Sequence, residues 1–177
     1  RNDISYFAIE PGEVSSKIIS SKGIPVLQKS VENSNEWSNR FDFVVSLEVL
    51  EHVNKPIDFV KSLYNLLKKD SYCLTTTLGY EGFDILTLGE DSNSISPPHH
   101  LNFLSIKGFK LLFKRAGFSE VQVITPGELD IDIVLNSDKK SEFLRILKSR
   151  GDSVIKEFQN FLVSNKLSSH VWVLAKK

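Results

Sequence analysis

An α/β fold, with a mostly parallel sheet and helices on both of its faces, is the class this sequence predicts, and three observations predict it. Short runs rich in β-branched and aromatic residues alternate with segments of helical period along most of the 177 residues. Within residues 41–47, Phe43, Val44 and Val45 form an apolar run without alternation, as expected of a parallel strand covered on both faces. Ser46, Glu48, Glu51 and His52 follow at once, so polar groups gather at the carboxyl end of that strand, where open α/β sheets bind their ligands. A plainer reading of the three charged or titratable groups stays open: a solvated helix start whose carboxylates the macrodipole favours.

Composition narrows the function classes. With 41% hydrophobic and 25% charged residues the chain can bury one core and reads as one domain, residues 1–177. Lys plus Arg and Asp plus Glu are both 22, which leaves no basic excess for extended nucleic-acid binding. Cys73 is the single cysteine, so the chain builds neither an internal disulfide nor a cysteine-based metal site, and a reducing, cytoplasmic setting is expected. No apolar stretch is long enough to span a bilayer, so no membrane partner is expected. Methionine is absent and the chain opens at Arg1-Asn2-Asp3 just before a strand, which reads as a piece of something longer.

The elements follow in order. Residues 4–9 read as a strand closed by Glu10-Pro11-Gly12, a turn that leaves Glu10 at the strand's carboxyl end. Val14, Ile18 and Ile19 share one face of a short helix that Gly23 is placed to end, and residues 25–28 form a second strand. Residues 31–40 are polar and loop-like around Trp37. After the 41–47 strand, Pro56 suits a first helical turn, and Phe59, Val60, Leu63, Leu66 and Leu67 make a 3.6-period face. Residues 72–77 are a further strand, rich in threonine.

Residues 79–98 form a connection longer than most ordered loops, and a lid is the natural expectation. Ser105 is placed to cap a helix whose Ile106, Phe109, Leu112, Phe113 and Ala116 face inward, with Gly117 closing it in the left-handed conformation. A strand at 121–125 stops at Pro126-Gly127. Two amphipathic helices follow, one carrying Phe143, Ile146 and Leu147, the other Val154, Phe158, Phe161 and Leu162. Residues 170–175 are a last strand.

The ordered series of Glu10, the Leu50-Glu51-His52-Val53 turn, the stretch Ser96-Pro-Pro-His-His-Leu-Asn-Phe-Leu-Ser105 and Ala116-Gly117-Phe118 resembles the class I S-adenosylmethionine-dependent methyltransferases. The likeness is to the ubiquinone-type and sugar O-methyltransferases, and it covers roughly residues 4–127. It implies a Rossmann-like sheet, S-adenosylmethionine as cofactor, and methyl transfer to a hydroxyl of a small molecule, a sugar or a phenolic or quinone-type ring. Glu10 would then take the ribose, Val31 and Glu32 would lie beside the adenine, and Ser46, Leu47 and Glu48 would flank the methionine part. Glu51 and His52 would shape the pocket wall. A plain surface carboxylate is an equal reading of Glu32.

Two departures from that family stand out. Its glycine-rich loop is missing, since no Gly-x-Gly occurs in the chain, and the strand that carries this loop would be central, between the strands at 4–9 and 41–47. The chain is therefore expected to lack its first strand and to be amino-terminally truncated. A non-catalytic, methyltransferase-like interaction domain is the alternative that this departure supports. Asp70-Ser71 also stands where relatives usually carry glycines. A nicotinamide-dependent oxidoreductase shares an acid like Glu10 but gives no account of the Leu50–Val53 turn or of residues 97–105.

Methyl transfer to a hydroxyl calls for a base at the pocket mouth, and His99 and His100 are the candidates, because imidazoles titrate near neutral pH. The plainer reading is that one histidine caps the helix or packs in the loop while the other is solvated. Two adjacent histidines with no carboxylate beside them in sequence do not suggest a metal site. His170 reads as structural. The helical segment at about 138–167 is expected to be an insertion that covers the acceptor or pairs two subunits as a homodimer through Phe143, Phe158 and Phe161; core packing is the default reading of those aromatics.

Overall fold

Residues 4–139 and 141–177 are described by a computed structural model; Arg1, Asn2 and Asp3, where the sequence opens, and Lys140 lie outside the described residues. The first strand, β1 (Ala8–Ile9), leads through helix α1 (Glu13–Ser21) to β2 (Val26–Leu27), and the two strands pair in parallel. Pairing is shorter than the 4–9 run predicted, because β2 offers β1 only two residues and the other side of β1 has no strand against it among the described residues. The expected loop at 31–40 instead holds two 3₁₀ turns, Val31–Asn33 and Asn35–Trp37, and Trp37 is buried.

The main sheet follows. Strand β3 (Phe41–Leu47), helix α2 (Pro56–Leu66), strand β4 (Leu67–Leu78) and helix α3 (Phe83–Leu88) come first. Helix α4 (Ile106–Ala116), strand β5 (Glu120–Ile124), helices α5 (Asp130–Leu135), α6 (Glu142–Ser149) and α7 (Asp152–Ser164) and strand β6 (His170–Lys176) complete the order. The sheet order is β3-β4-β6-β5, with β3 and β4 parallel and β6 antiparallel to both of its neighbours. Strands β3, β4 and β5 thus share one direction and β6 reverses it, the mostly parallel α/β arrangement that the sequence predicts.

Local chemistry explains several boundaries. Ser105 caps α4 by accepting a hydrogen bond from the Gly108 amide at 3.0 Å, and Gly117 ends the helix at φ 116°, where an added β-carbon would lie 3.1 Å from the Tyr64 ring. Leu67 leaves the α2 face on which its period placed it and opens β4 instead. The strand then turns at Asp70, whose φ of 61° is the left-handed conformation that glycine adopts most readily.

The core packs between the sheet and two helices. Phe59, Val60, Leu63 and Leu66 of α2 and Phe109 and Phe113 of α4 bury one face with Val44, Cys73, Val123, Val171 and Val173. Burial pushes the Cys73 thiol up to about 12, so it acts as a small hydrophobe. The opposite face corrects the expectation of cover on both sides. Phe43, Val45 and Leu47 are 51%, 50% and 60% exposed, and Tyr72, Ile124, Trp172 and Leu174 beside them are exposed too. The unbroken apolar run of β3 therefore alternates in burial, since no described helix lies over that face.

An edge-to-face triad of Phe7, Trp37 and Phe41, with the Arg40 guanidinium 4.6 Å from the Phe7 ring centre, ties the small sheet to the large one. A second core joins α3 and the helical segment: Leu88, Ile131, Val134, Leu144 and Leu162 are buried together. The helical region thus begins at Asp130, ahead of the predicted 138. Its inward residue on α6 is Leu144, while Phe143 and Phe161 are exposed.

The expected lid at 79–98 is pinned in place. Gly79 N donates to Ser169 O and Phe83 N to Leu167 O, both at 2.7 Å, and Ile85 and Leu88 are buried. Gly82 passes so close to Ser169 that a β-carbon there would lie 2.4 Å from its backbone. No described helix is long and apolar enough to cross a membrane.

Candidate functional site

A cavity of about 1220 Å³ opens between the edges of β1 and β3 that no described strand pairs. Glu10, Val31, Glu32, Ser46, Leu47 and His52 all line it, so six residues that the family resemblance placed around one cofactor come together from three separate segments. Glu48 stands just outside that lining, and His99 and His100 are not part of it. Glu10 Oε1 accepts the Gly12 amide at 2.7 Å, which fixes the carboxylate at the end of β1 and leaves Oε2 uncommitted. The hydroxyl of Ser46 is buried without a partner among the described residues.

The loop after β3 is built around strain and buried charge. Glu48 takes a φ of 51°, a left-handed conformation that disfavours a long side chain. Threonine 76 holds it there: its hydroxyl donates to Glu48 Oε1 at 2.6 Å and its carbonyl accepts the Glu48 amide at 3.0 Å. His170 Nε2 adds a donor to the same Oε1 at 3.2 Å, so the residue that the sequence reading treated as structural reaches the site. Glu51 is only 1% exposed. Its Oε2 accepts the Thr77 hydroxyl at 2.8 Å, and burial raises its carboxyl above the ordinary range.

Two segments far apart in sequence are stitched together here. The Glu51 carbonyl accepts the amides of Leu101 at 2.7 Å and Asn102 at 3.1 Å. Asn102 Nδ2 donates to the carbonyls of Leu50 and Val53, at 3.1 and 2.6 Å. His52 Nδ1 lies 2.8 Å from the His99 carbonyl, and His100 Nδ1 lies 2.6 Å from the Ser94 carbonyl. A carbonyl oxygen only accepts, so both Nδ1 atoms carry a proton, and in the neutral tautomer the ring's lone pair lies on Nε2. The two rings are 4.7 Å apart. His99 contributes its backbone and turns its own ring to solvent.

Sequence reading missed Thr76, Thr77, Asn102 and His170. Only Asn102 carried a signal, since it lies in the 96–105 stretch on which the family resemblance rests; the threonines and His170 reach the site through the pairing of β4 with β3 and β6.

Parallel strands deliver an acid, a histidine turn and a cavity to one sheet edge. The sequence model of the methyltransferase-domain family matches residues 2–123, and the chain belongs to that family. Among curated relatives, it is 31% identical over 94 residues to the tRNA U34 carboxymethyltransferase of Sulfurimonas denitrificans, covering 53% of this chain and 32% of the relative. It is 38% identical over 72 residues to the ubiquinone biosynthesis O-methyltransferase of Proteus mirabilis, covering 39% and 29%. The chain spans about a third of the length of these relatives. A solved S-adenosylmethionine-dependent methyltransferase from Thermotoga maritima superposes with a TM-score of 0.66 at 20% identity, covering 97% of this chain and 72% of that one. That likeness establishes the shared fold.

Proposed function

We propose that the chain forms one wall of an S-adenosylmethionine-dependent methyltransferase that methylates a hydroxyl of a small molecule, a sugar or a phenolic or quinone-type ring, in a reducing, cytoplasmic setting. The observation that carries this reading is the convergence of Glu10, Val31, Glu32, Ser46, Leu47 and His52 on one cavity at the carboxyl ends of β1 and β3. These residues fit the cofactor: a carboxylate for the ribose hydroxyls and an apolar side chain beside an acid after β2 for its nucleoside half, and a strand end with a hydroxyl for its methionine part. When bound, S-adenosylmethionine supplies a methyl group activated on a sulfonium.

The protein's own part is alignment and proton removal. Glu10 Oε2 accepts from the ribose, while Val31 and Glu32 border the adenine. Ser46 and Leu47 flank the methionine part, with Glu48 held behind them by Thr76 and His170. His100 is the better placed of the two candidate bases: its Nδ1 is anchored, its Nε2 lone pair is free, and it packs against His52 of the cavity wall. His99 serves through its carbonyl. Pairing of two copies through the exposed Phe143 and Phe161 belongs to the same proposal and is tested by sedimentation.

Calorimetric titration with S-adenosylhomocysteine of a chain that carries a glycine-rich loop ahead of β1 tests the cofactor assignment, and absence of binding there would sink it. For the base, His100→Ala should lose on the order of 10²-fold or more in turnover, the usual size of an acid–base contribution. Unchanged turnover in both His99→Ala and His100→Ala would remove these residues from the mechanism.

A non-catalytic interaction domain is the second reading. It is favoured by one observation, the lack of any Gly-x-Gly to bring backbone up to the cofactor's carboxypropyl end. Cofactor binding without turnover on any hydroxyl acceptor, or no binding at all, is its expected signature.

A further inference from the structure

A polar cluster lies out of water where α3 and α5 meet the entry to β6. Asp84 is 0%, Asp130 2%, Ser168 2% and Ser169 5% exposed. Asp130 Oδ1 accepts the Ser169 amide at 2.8 Å, and its Oδ2 accepts Gln159 Nε2 at 2.6 Å. A β-carbon built on Gly127 would collide with Ser168 Oγ and stand 2.9 Å from Asp130 Oδ2, which sets those two oxygens side by side. Ser169 links the second acid: Gly82 packs on its backbone, and its hydroxyl lies close to Asp84 without satisfying either carboxylate oxygen. Ser168 Oγ and both Asp84 oxygens have no partner among the described residues. None of the ion pairs among the described residues includes Asp84 or Asp130. Two carboxylates thus share a buried corner with no positive side chain to meet them, and buried carboxylates are held by a counter-charge or a metal.

We propose that Asp84, Asp130, Ser168 and Ser169 form a binding site for a calcium ion that ties α3 and α5 to the entry of β6. Every donor is a hard oxygen: both oxygens of Asp84, Asp130 Oδ2, and the two serine hydroxyls. With no imidazole or thiolate in the set, calcium fits and zinc does not. Main-chain carbonyls or a buried water complete the six to eight oxygens that calcium takes. Two carboxylate charges match one divalent ion, whereas sodium would leave one of them unbalanced. Magnesium keeps several of its waters and demands a near-ideal octahedron, which a corner shut off from solvent does not offer. Gln159 supports the set from behind, since its Nε2 bridges Asp130 Oδ2 and the Gly127 carbonyl, the latter at 3.0 Å. None of these residues lines the cavity between β1 and β3, so the ion takes no part in methyl transfer. Its role is to staple the 79–98 connection, through Asp84, to the helical segment. That connection runs straight into His99 and His100.

Because the site is closed in the folded state, the test refolds chelator-treated protein from urea with Ca²⁺ and without S-adenosylhomocysteine. One equivalent of calcium should stay with the protein through gel filtration, read by atomic emission. Saturating Ca²⁺ should raise the thermal midpoint by about 5–10 °C, the shift expected at a hundredfold excess over the dissociation constant. Mg²⁺ at the same concentration should do much less. Ser168→Ala removes a hydroxyl with no other partner among the described residues and should weaken calcium binding roughly tenfold, the worth of one contact to a charged group. Asp84→Asn should abolish the Ca²⁺-dependent shift while remaining, in chelator, at least as stable as the parent, where no ion offsets the buried charge. Glu142→Gln alters an exposed acid and should respond as the parent does. Circular dichroism checks the fold of each variant. No retained calcium, an equal shift with Mg²⁺, or undiminished calcium binding in both Ser168→Ala and Asp84→Asn overturns the proposal. Since no cofactor is present at any stage, this outcome is separate from the fate of the methyltransferase reading.

Discussion

Asn102 Nδ2 bridges the carbonyls of Leu50 and Val53, at 3.1 and 2.6 Å, and so clamps both ends of the turn that carries Glu51 and His52. A side chain ahead of α4 thereby holds the shape of a loop fifty residues earlier in the chain. Asn102→Ala removes two hydrogen bonds to partly buried acceptors, and a loss of about 1–3 kcal/mol is expected. Urea unfolding measures it. Amide exchange of residues 50–53 should quicken in the same variant, because the turn loses its outside partner.

Glu10 has one oxygen committed to Gly12 and one turned free beside the cavity. Glu10→Ala should weaken S-adenosylhomocysteine binding by about 10- to 100-fold, the value of one or two hydrogen bonds to a charged acceptor, with little change in stability. Calorimetry decides it. An affinity equal to that of the parent would place the ribose elsewhere.

Asp84 is fully buried, neither carboxylate oxygen has a hydrogen-bond partner among the described residues, and burial, reinforced by the Asp130 carboxylate, raises its pKa above the ordinary 3.8. A carboxyl raised in the folded state costs nothing below the unfolded value and destabilises progressively as pH climbs from about 3.8 through the folded value. Asp84→Asn should therefore stabilise the protein at pH 7, by about 1–3 kcal/mol, with an advantage that shrinks toward pH 4. Urea midpoints of both proteins across that range give the comparison, and a pH-independent difference would contradict it.

Gly82 has no room for a β-carbon, since the Ser169 backbone would lie 2.4 Å away. Gly82→Ala should cost about 1–3 kcal/mol by overpacking and should loosen the 79–98 connection from the entry to β6. Thermal unfolding, with proteolysis of that connection as a second readout, measures both effects.

How much of this was legible in the sequence depends on what each signal needs. Helix α4 was readable from Ser105 to Gly117, because cap, apolar period and left-handed stop are all local chemistry. Strand β3 was readable as a strand, but its cover was not: whether a helix lies over Phe43 and Val45 is a tertiary fact that an apolar run does not carry. Helix α3 was hidden because its six residues are too few to show a period inside a Gly- and Ser-rich connection. In the site, Glu10 and the Glu51-His52 turn stood out as polar residues at strand ends. Thr76, Thr77 and His170 did not, since threonine in a strand and histidine at a strand start are ordinary until the register sets them opposite Glu48 and Glu51.

Strand β6 sits between β4 and β5, and its residues pair with partners on β4 about a hundred positions earlier. Neither neighbour touches the other without it, so the interior of the sheet is closed by one of its latest segments. Loop-closure entropy must be met before that pairing returns any energy, which makes assembly slow and dependent on non-local contacts. Until then β4 and β5 each carry an unsatisfied edge beside a bare apolar face, a state that invites intermolecular pairing. Yield of native protein should therefore fall as refolding concentration rises, and a chain shortened before residue 170 should collect in insoluble form whatever its catalytic residues.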